Sequence, residues 1–146
     1  LIENGAQSLP ITHPEMTRFW ITLAQGVNFV LSSLSIMNGG EIFVPKIPSM
    51  KVVDLAKALA PDINHEVVGI RPGEKLHETM ITIDDGRTTL ELEDRYVIEP
   101  AFAFWSNSHL KSRDASAVSE NFEYSSNNNL EWLSDSNLKK LIIEQN

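Results

Sequence analysis

The sequence predicts an α/β fold, and three observations carry that reading. Apolar residues recur at helical spacing near residues 22–38, polar and apolar residues alternate at strand spacing over residues 89–98, and the two patterns take turns along the chain. The helical pattern comes first: Leu23, Val27, Val30, Leu31 and Leu34 follow the 3.6-residue period. Thr22 and Gln25 form a T-x-x-Q capping box at its start. Asn38, Gly39 and Gly40 are expected to end it in a left-handed C-cap. Glu41 to Pro45, β-branched and aromatic, reads as a buried strand, and Pro45 puts its end at a sheet margin. Ser49 is the expected N-cap of a second helix striped by Val52, Leu55, Ala56 and Leu59 and stopped by Pro61. A strand over His65 to Ile70 follows.

Residues 89–98 read as one half-exposed strand. Leu90, Leu92, Tyr96 and Ile98 lie on one face; Glu91, Glu93, Arg95 and Val97 lie on the other. Residues 101–129 are rich in Ser and Asn, Ser125 to Asn129 most of all, and are expected to be loop or weakly ordered. A short last helix starts near Ser134, with Leu133 and Leu138 as a hydrophobic staple and Leu138, Leu141 and Ile142 as its buried face.

Composition excludes several functions. The chain has 146 residues, a net charge of -8 and no cysteine. An acidic balance argues against a broad basic face for nucleic acid or an anionic membrane. Without thiolates there is neither a disulfide framework nor a cysteine zinc site, and the four histidines have no ligand-like spacing, so no metal is expected. No apolar run approaches the roughly 20 residues that span a bilayer. A reducing cytoplasm fits. The first residue is Leu1 with no basic, apolar leader pattern behind it, so the chain is expected to begin inside a longer protein.

Two arginines stand out. In Arg71-Pro-Gly-Glu74, Pro at the second position and Gly at the third is the chemistry of a type II turn. The residue before proline is pushed to extended geometry, so Arg71 is expected at the end of a strand, held for a bidentate grip on phosphate or carboxylate. Glu74 lies near the start of an expected helical stretch in which Leu76 and Met80 share a face, where its carboxylate would accept from sugar hydroxyls. The plain alternative is a surface turn whose arginine pairs with a neighbouring acid. Arg18, in Met16-Thr-Arg-Phe-Trp-Ile21, is flanked by apolar and aromatic residues and needs a counter-charge. Glu15 or another acid is one partner; a ligand phosphate is the other. No Ser nucleophile elbow, P-loop, glycine-rich dinucleotide fingerprint or Tyr-x-x-x-Lys pair is present, so no residue of the chain is assigned a catalytic role. Asp84-Asp85 reads as a solvated turn with Gly86.

Four blocks occur in order: Met16 to Leu23, Gly39 to Lys46, Ser49 to Ala56 and Gly69 to Glu78. Together they resemble the C-terminal portion of UDP-N-acetylglucosamine 4,6-dehydratases of the inverting type, extended short-chain dehydrogenases/reductases of the polysaccharide-biosynthesis group. The resemblance is strong over residues 8–100 and weaker over the tail. It implies the C-terminal part of a Rossmann-type fold plus a small substrate-binding subdomain. Residues 1–46 would end the Rossmann domain, residues 47–100 would bind the UDP-sugar, and residues 101–146 would be a tail with a short terminal helix. It further implies NADP held by a missing N-terminal Rossmann domain, and a homo-oligomer when full-length. Arg71 would contact the diphosphate, Glu74 the ribose or uridine side, and Arg18 a second phosphate position. Retaining dehydratases and nucleotide-sugar epimerases share similar blocks and remain a nearby alternative. A non-catalytic interaction domain, docking through apolar faces, is the alternative of another class.

Overall fold

The computed structural model describes residues 5–102, 110 and 114–143. The chain divides into two compact units. One comprises residues 1–20, 48–78 and 126–146; the other comprises residues 21–47 and 79–125.

In the first unit, β1 (Ser8–Ile11) pairs in parallel with β5 (Asn64–Val67), and β2 (Thr17–Phe19) pairs antiparallel with β4 (Ser49–Lys51). Helix α2 (Val52–Leu59) leaves β4 directly and ends before Pro61, as its sequence predicts. Ser49 is not its N-cap. It is fully buried in β4, where its N–H donates to the Glu131 carbonyl (2.8 Å) and its carbonyl accepts from Leu133 N–H (2.9 Å). The N-cap position falls on Lys51, two residues later, and no side chain caps the helix. The Ser49 hydroxyl oxygen instead accepts from Asn129 Nδ2. Ile11, Met16, Met50, Ala56, Ala60 and Leu138 form the core of this unit. Leu138 belongs to the last helix, Asp135–Ile143, whose first turn is capped by the Ser134 hydroxyl.

The second unit holds α1 (Leu23–Leu34) and a four-stranded antiparallel sheet. Its strand order is β3 (Ile42–Pro45), β8 (Arg95–Ile98), β7 (Thr89–Glu91), β9 (Ser116–Ala117). Pro45 lies on the edge strand, where a missing N–H is tolerated. A second antiparallel pair joins β6 (Thr79–Ile81) to β10 (Tyr124–Ser125). Tyr96 packs against the rings of Phe122 and Tyr124, at 5.0 and 5.1 Å between centroids. Asp84-Asp85 sits in α3 (Ile83–Gly86), a single helical turn capped by Thr82 and Asp85 rather than a bare turn.

Residues 89–98 are a hairpin, not one strand. Thr89 faces Ile98 and Glu91 faces Tyr96 across it, and Leu92 N–H bonds the Arg95 carbonyl. The turn has no Gly or Pro, so the alternation runs through it unbroken and hides it. The Ser/Asn-rich stretch is loop over most of its described length, as expected, but it holds β9 and β10 and buries Tyr124, Ser125 and Ser126. Small hydroxyls with fixed partners pack as well as apolar groups, and composition alone does not reveal those partners. The remaining part of that expectation, residues 103–109 and 111–113, lies outside the described residues.

Helix α1 starts at its capping box, with both reciprocal bonds made. It ends at Leu34 with Ser35 as a right-handed C-cap, short of the predicted Gly39-Gly40 end. The N–H groups of Ile36 and Met37 both return to the Ser33 carbonyl and turn the chain away early. The inward face of α1 is its polar one. Arg95 is only 5% exposed, and donates to the hydroxyls of Ser33 and Ser32 at 2.8 Å each, lies 4.7 Å from the Phe29 ring centroid and binds the Asp94 carboxylate. A buried guanidinium needs acceptors all round, and the serines of α1 supply them. The apolar stripe therefore points outward: Leu23 is 82% exposed, and Val27, Val30, Leu31 and Leu34 are between 49% and 60% exposed.

Arg95→Ala should destabilise the protein by roughly 2–4 kcal/mol in urea unfolding, since two serine hydroxyls and a ring face lose their partner. The hydrogen bond from Arg95 holds the Asp94 carboxyl below its ordinary pKa, against the opposing effect of burial. A depressed folded-state pKa means the unfolded chain takes up the proton first. The advantage of the wild type over Asp94→Asn should thus be complete at neutral pH and fade as the pH falls below the usual carboxylate range. Paired unfolding curves at neutral and acid pH check this.

Candidate functional site

The Arg71 to Glu74 turn forms as its residues dictate. Glu74 N–H bonds the Arg71 carbonyl at 3.0 Å, closing four residues, and Gly73 takes the positive φ of +82° that a type II turn requires. Glu74 adds a second closure, its Oε2 accepting from Arg71 N–H at 3.2 Å. The turn thus closes on its own residues and leaves the Arg71 side chain free. The Arg71 guanidinium is exposed and meets no carboxylate among the described residues.

Two surroundings of the turn differ from expectation. Strand β5 stops at Val67 rather than Ile70, because Gly69 turns left-handed at φ +90°. Arg71 therefore stands beyond an irregular link, not at a strand end. No helix follows Glu74 either. The Lys75 and Leu76 carbonyls, which a helix would spend on residues four further on, bond strand β2 instead.

Arg18 makes most of that attachment. Its Nη1 donates to the carbonyls of Thr17 (2.6 Å) and Leu76 (3.2 Å), and its Nη2 donates to the Lys75 carbonyl (2.9 Å). Its Nε lies 3.5 Å from Glu78 Oε1. The acid that partners Arg18 is Glu78; Glu15 pairs with Lys51 at 3.1 Å. Of the five N–H groups on a guanidinium, these contacts leave one, on Nη2, for a ligand. The structure thus brings Arg18 onto the segment that carries Arg71 and Glu74. It does so through backbone carbonyls, with no contact between the three side chains.

Sequence reasoning missed a buried polar chain behind this segment. Thr17 Oγ1 lies 2.8 Å from His77 Nδ1 and 2.6 Å from Ser126 Oγ, and Ser126 Oγ accepts from Glu78 N–H at 2.9 Å. Thr17 is 2% exposed and Ser126 fully buried. Residues 60 and 109 positions apart in sequence carry no short-range signal of such contacts. Among the described residues there is no cluster of three or more metal-ligating side chains, and no helix is long and apolar enough to cross a membrane.

Residues 1–100 match the polysaccharide biosynthesis protein family. The chain belongs to that family. It is 51% and 49% identical to the UDP-N-acetylglucosamine 4,6-dehydratases (inverting) of two Campylobacter jejuni strains, of serotypes O:2 and O:23/36. Each alignment covers 97% of this chain and 44% of the relative, so the chain spans less than half the length of these proteins. Among solved structures, Pen from Bacillus thuringiensis superposes with a TM-score of 0.80 at 27% identity, over 97% of this chain and 43% of that one. The family member described here has the α/β fold expected of the C-terminal part of an extended short-chain dehydrogenase/reductase.

Gly73→Ala should cost about 1 kcal/mol, because an L side chain resists positive φ although the space around Gly73 is open. Gly73→Asn, which tolerates that region better, should cost less. Thermal unfolding of the two variants tests whether backbone conformation alone sets the effect.

Proposed function

We propose that the chain is the UDP-sugar-binding C-terminal part of a UDP-N-acetylglucosamine 4,6-dehydratase of the inverting type. The observation that carries this reading is the 51% identity over 97% of the chain to a protein of that name. The full-length protein would oxidise the sugar at C4, eliminate water across C5 and C6, and return hydride to C6 with inversion at C5. Such a protein would act in the cytoplasm on a soluble nucleotide sugar and self-associate.

Arg71 is the main diphosphate ligand in this reading. Its guanidinium is free, exposed and carried on a turn closed by two bonds between Arg71 and Glu74. Glu74 would bind the ribose or uridine side through the carboxylate oxygen that the turn does not use. Arg18 contributes one remaining N–H and holds the segment in place. The hydride chemistry needs a nicotinamide cofactor, and the residues present do not fit one. The sequence has no glycine-rich dinucleotide loop and no Tyr-x-x-x-Lys pair. NADP and the catalytic residues therefore belong to a part of the protein outside these 146 residues. The outward stripe of α1 agrees with such a part, since five large apolar side chains await cover.

In the full-length polypeptide, Arg71→Lys should weaken UDP binding roughly ten-fold, because an ammonium replaces a planar fork with a single point charge. Calorimetry giving an unchanged affinity would remove Arg71 from the site. The 146-residue chain alone, mixed with UDP-N-acetylglucosamine and NADP, should yield no keto sugar. Product formation would show that the catalytic groups are here after all.

A further inference from the structure

The buried polar chain behind the Arg71–Glu78 segment has a direction. Glu78 N–H is only a donor, so Ser126 Oγ must accept from it. Ser126 is fully buried and its one other partner is Thr17, so its hydroxyl proton goes to Thr17 Oγ1. The Thr17 proton is then left for His77 Nδ1. The opposite order would leave the Ser126 proton unpartnered away from water, which is the costlier arrangement. Ser126 also binds through its backbone, its N–H donating to the Glu78 carbonyl at 2.7 Å. On the other side, Thr17 N–H bonds the Leu76 carbonyl at 3.1 Å and Arg18 takes the carbonyls of Lys75 and Leu76. Residues 75–78 are thereby gripped from β2 and from Ser126 at once.

We propose that Ser126 and Thr17 are positioning residues for the nucleotide-binding segment. They form a one-way relay, Glu78 N–H to Ser126 to Thr17 to His77, that makes the C-terminal stretch of the chain part of the ligand site without touching the ligand. This rests on the UDP-binding reading of Arg71 and Glu74. The relay sets His77 as the tautomer protonated on Nε2, with Nδ1 as the acceptor. A role for the Ser/Asn-rich stretch follows: its fully buried Ser126 locks the segment that presents Arg71.

The test uses the full-length polypeptide, titrated with UDP and with NADP by calorimetry. Ser126→Ala and Thr17→Val should bind UDP roughly five- to ten-fold more weakly, because each leaves buried polar groups unpaired beneath the segment. Thr17→Ser, which keeps the hydroxyl, should stay within about two-fold of the wild type. NADP affinity should not change in any variant. Equal UDP affinity in all four proteins overturns the inference and leaves the UDP reading intact. Joint loss of UDP and NADP binding overturns it too, since that marks general unfolding rather than positioning. Failure of the wild type to bind UDP removes the reading and the inference together. A measurement on the wild type needs no variant to fold: nitrogen chemical shifts of labelled histidine at mildly alkaline pH should show His77 protonated on Nε2. A proton on Nδ1 overturns the relay.

Discussion

The attachment of residues 75–78 to strand β2 is the constraint on which the site depends. Three things compete for the Lys75 and Leu76 carbonyls: water, a helix, and β2. Strand β2 wins because it brings a guanidinium to both oxygens and a backbone N–H to that of Leu76. A hydrogen bond from a charged donor contributes roughly 1.5–3 kcal/mol, against about 1 kcal/mol for a neutral one. One turn of isolated helix cannot match that, since its nucleation is unfavourable. The segment is therefore irregular but fixed. The turn before it closes on its own residues, Arg71 and Glu74.

A second constraint acts in the other unit. Arg95 is buried under α1 and draws the serines of that helix inward, which forces its apolar stripe out. The stripe is too large to be incidental. Fully burying such a side chain contributes roughly 1.5–3 kcal/mol, so covering five that are 49% to 82% exposed is worth on the order of 5 kcal/mol. That is comparable with the whole stability of a small domain.

What the sequence disclosed follows the range of the forces involved. The capping box at Thr22 and Gln25, the Pro-Gly turn at Arg71 and the stop at Pro61 depend on residues within four positions, and all form as read. The errors lie where distant partners decide. Ser49 looks like a helix cap until its strand neighbours at Glu131 and Leu133 are known. Arg95 sits on the nominally polar face of an alternating run, yet it is buried by serines more than sixty residues away. The expected helix after Glu74 fails for the same reason, because Arg18 takes its carbonyls. Of the candidate site, Arg71, Glu74 and Arg18 are the residues the sequence singles out, and their role is a proposal. The buried residues Thr17, His77 and Ser126 were not legible, since hydroxyl networks have neither period nor spacing.

The last question is how a chain of net charge -8 would hold a diphosphate. Charges beyond a Debye length, about 8 Å at physiological salt, are largely screened at a surface site. Nearby acids therefore matter most, and two of them on this segment have partners in the chain. Glu78 faces the Nε of Arg18, and Glu74 has one oxygen turned to the Arg71 N–H. What remains at the turn is an unpaired guanidinium with Lys75 exposed four residues on. A diphosphate arriving there would meet Arg71 and Lys75 against the single charge of Glu74. The acidic balance then acts on a different step, lowering the rate of anion encounter at low salt while leaving the contact itself nearly untouched.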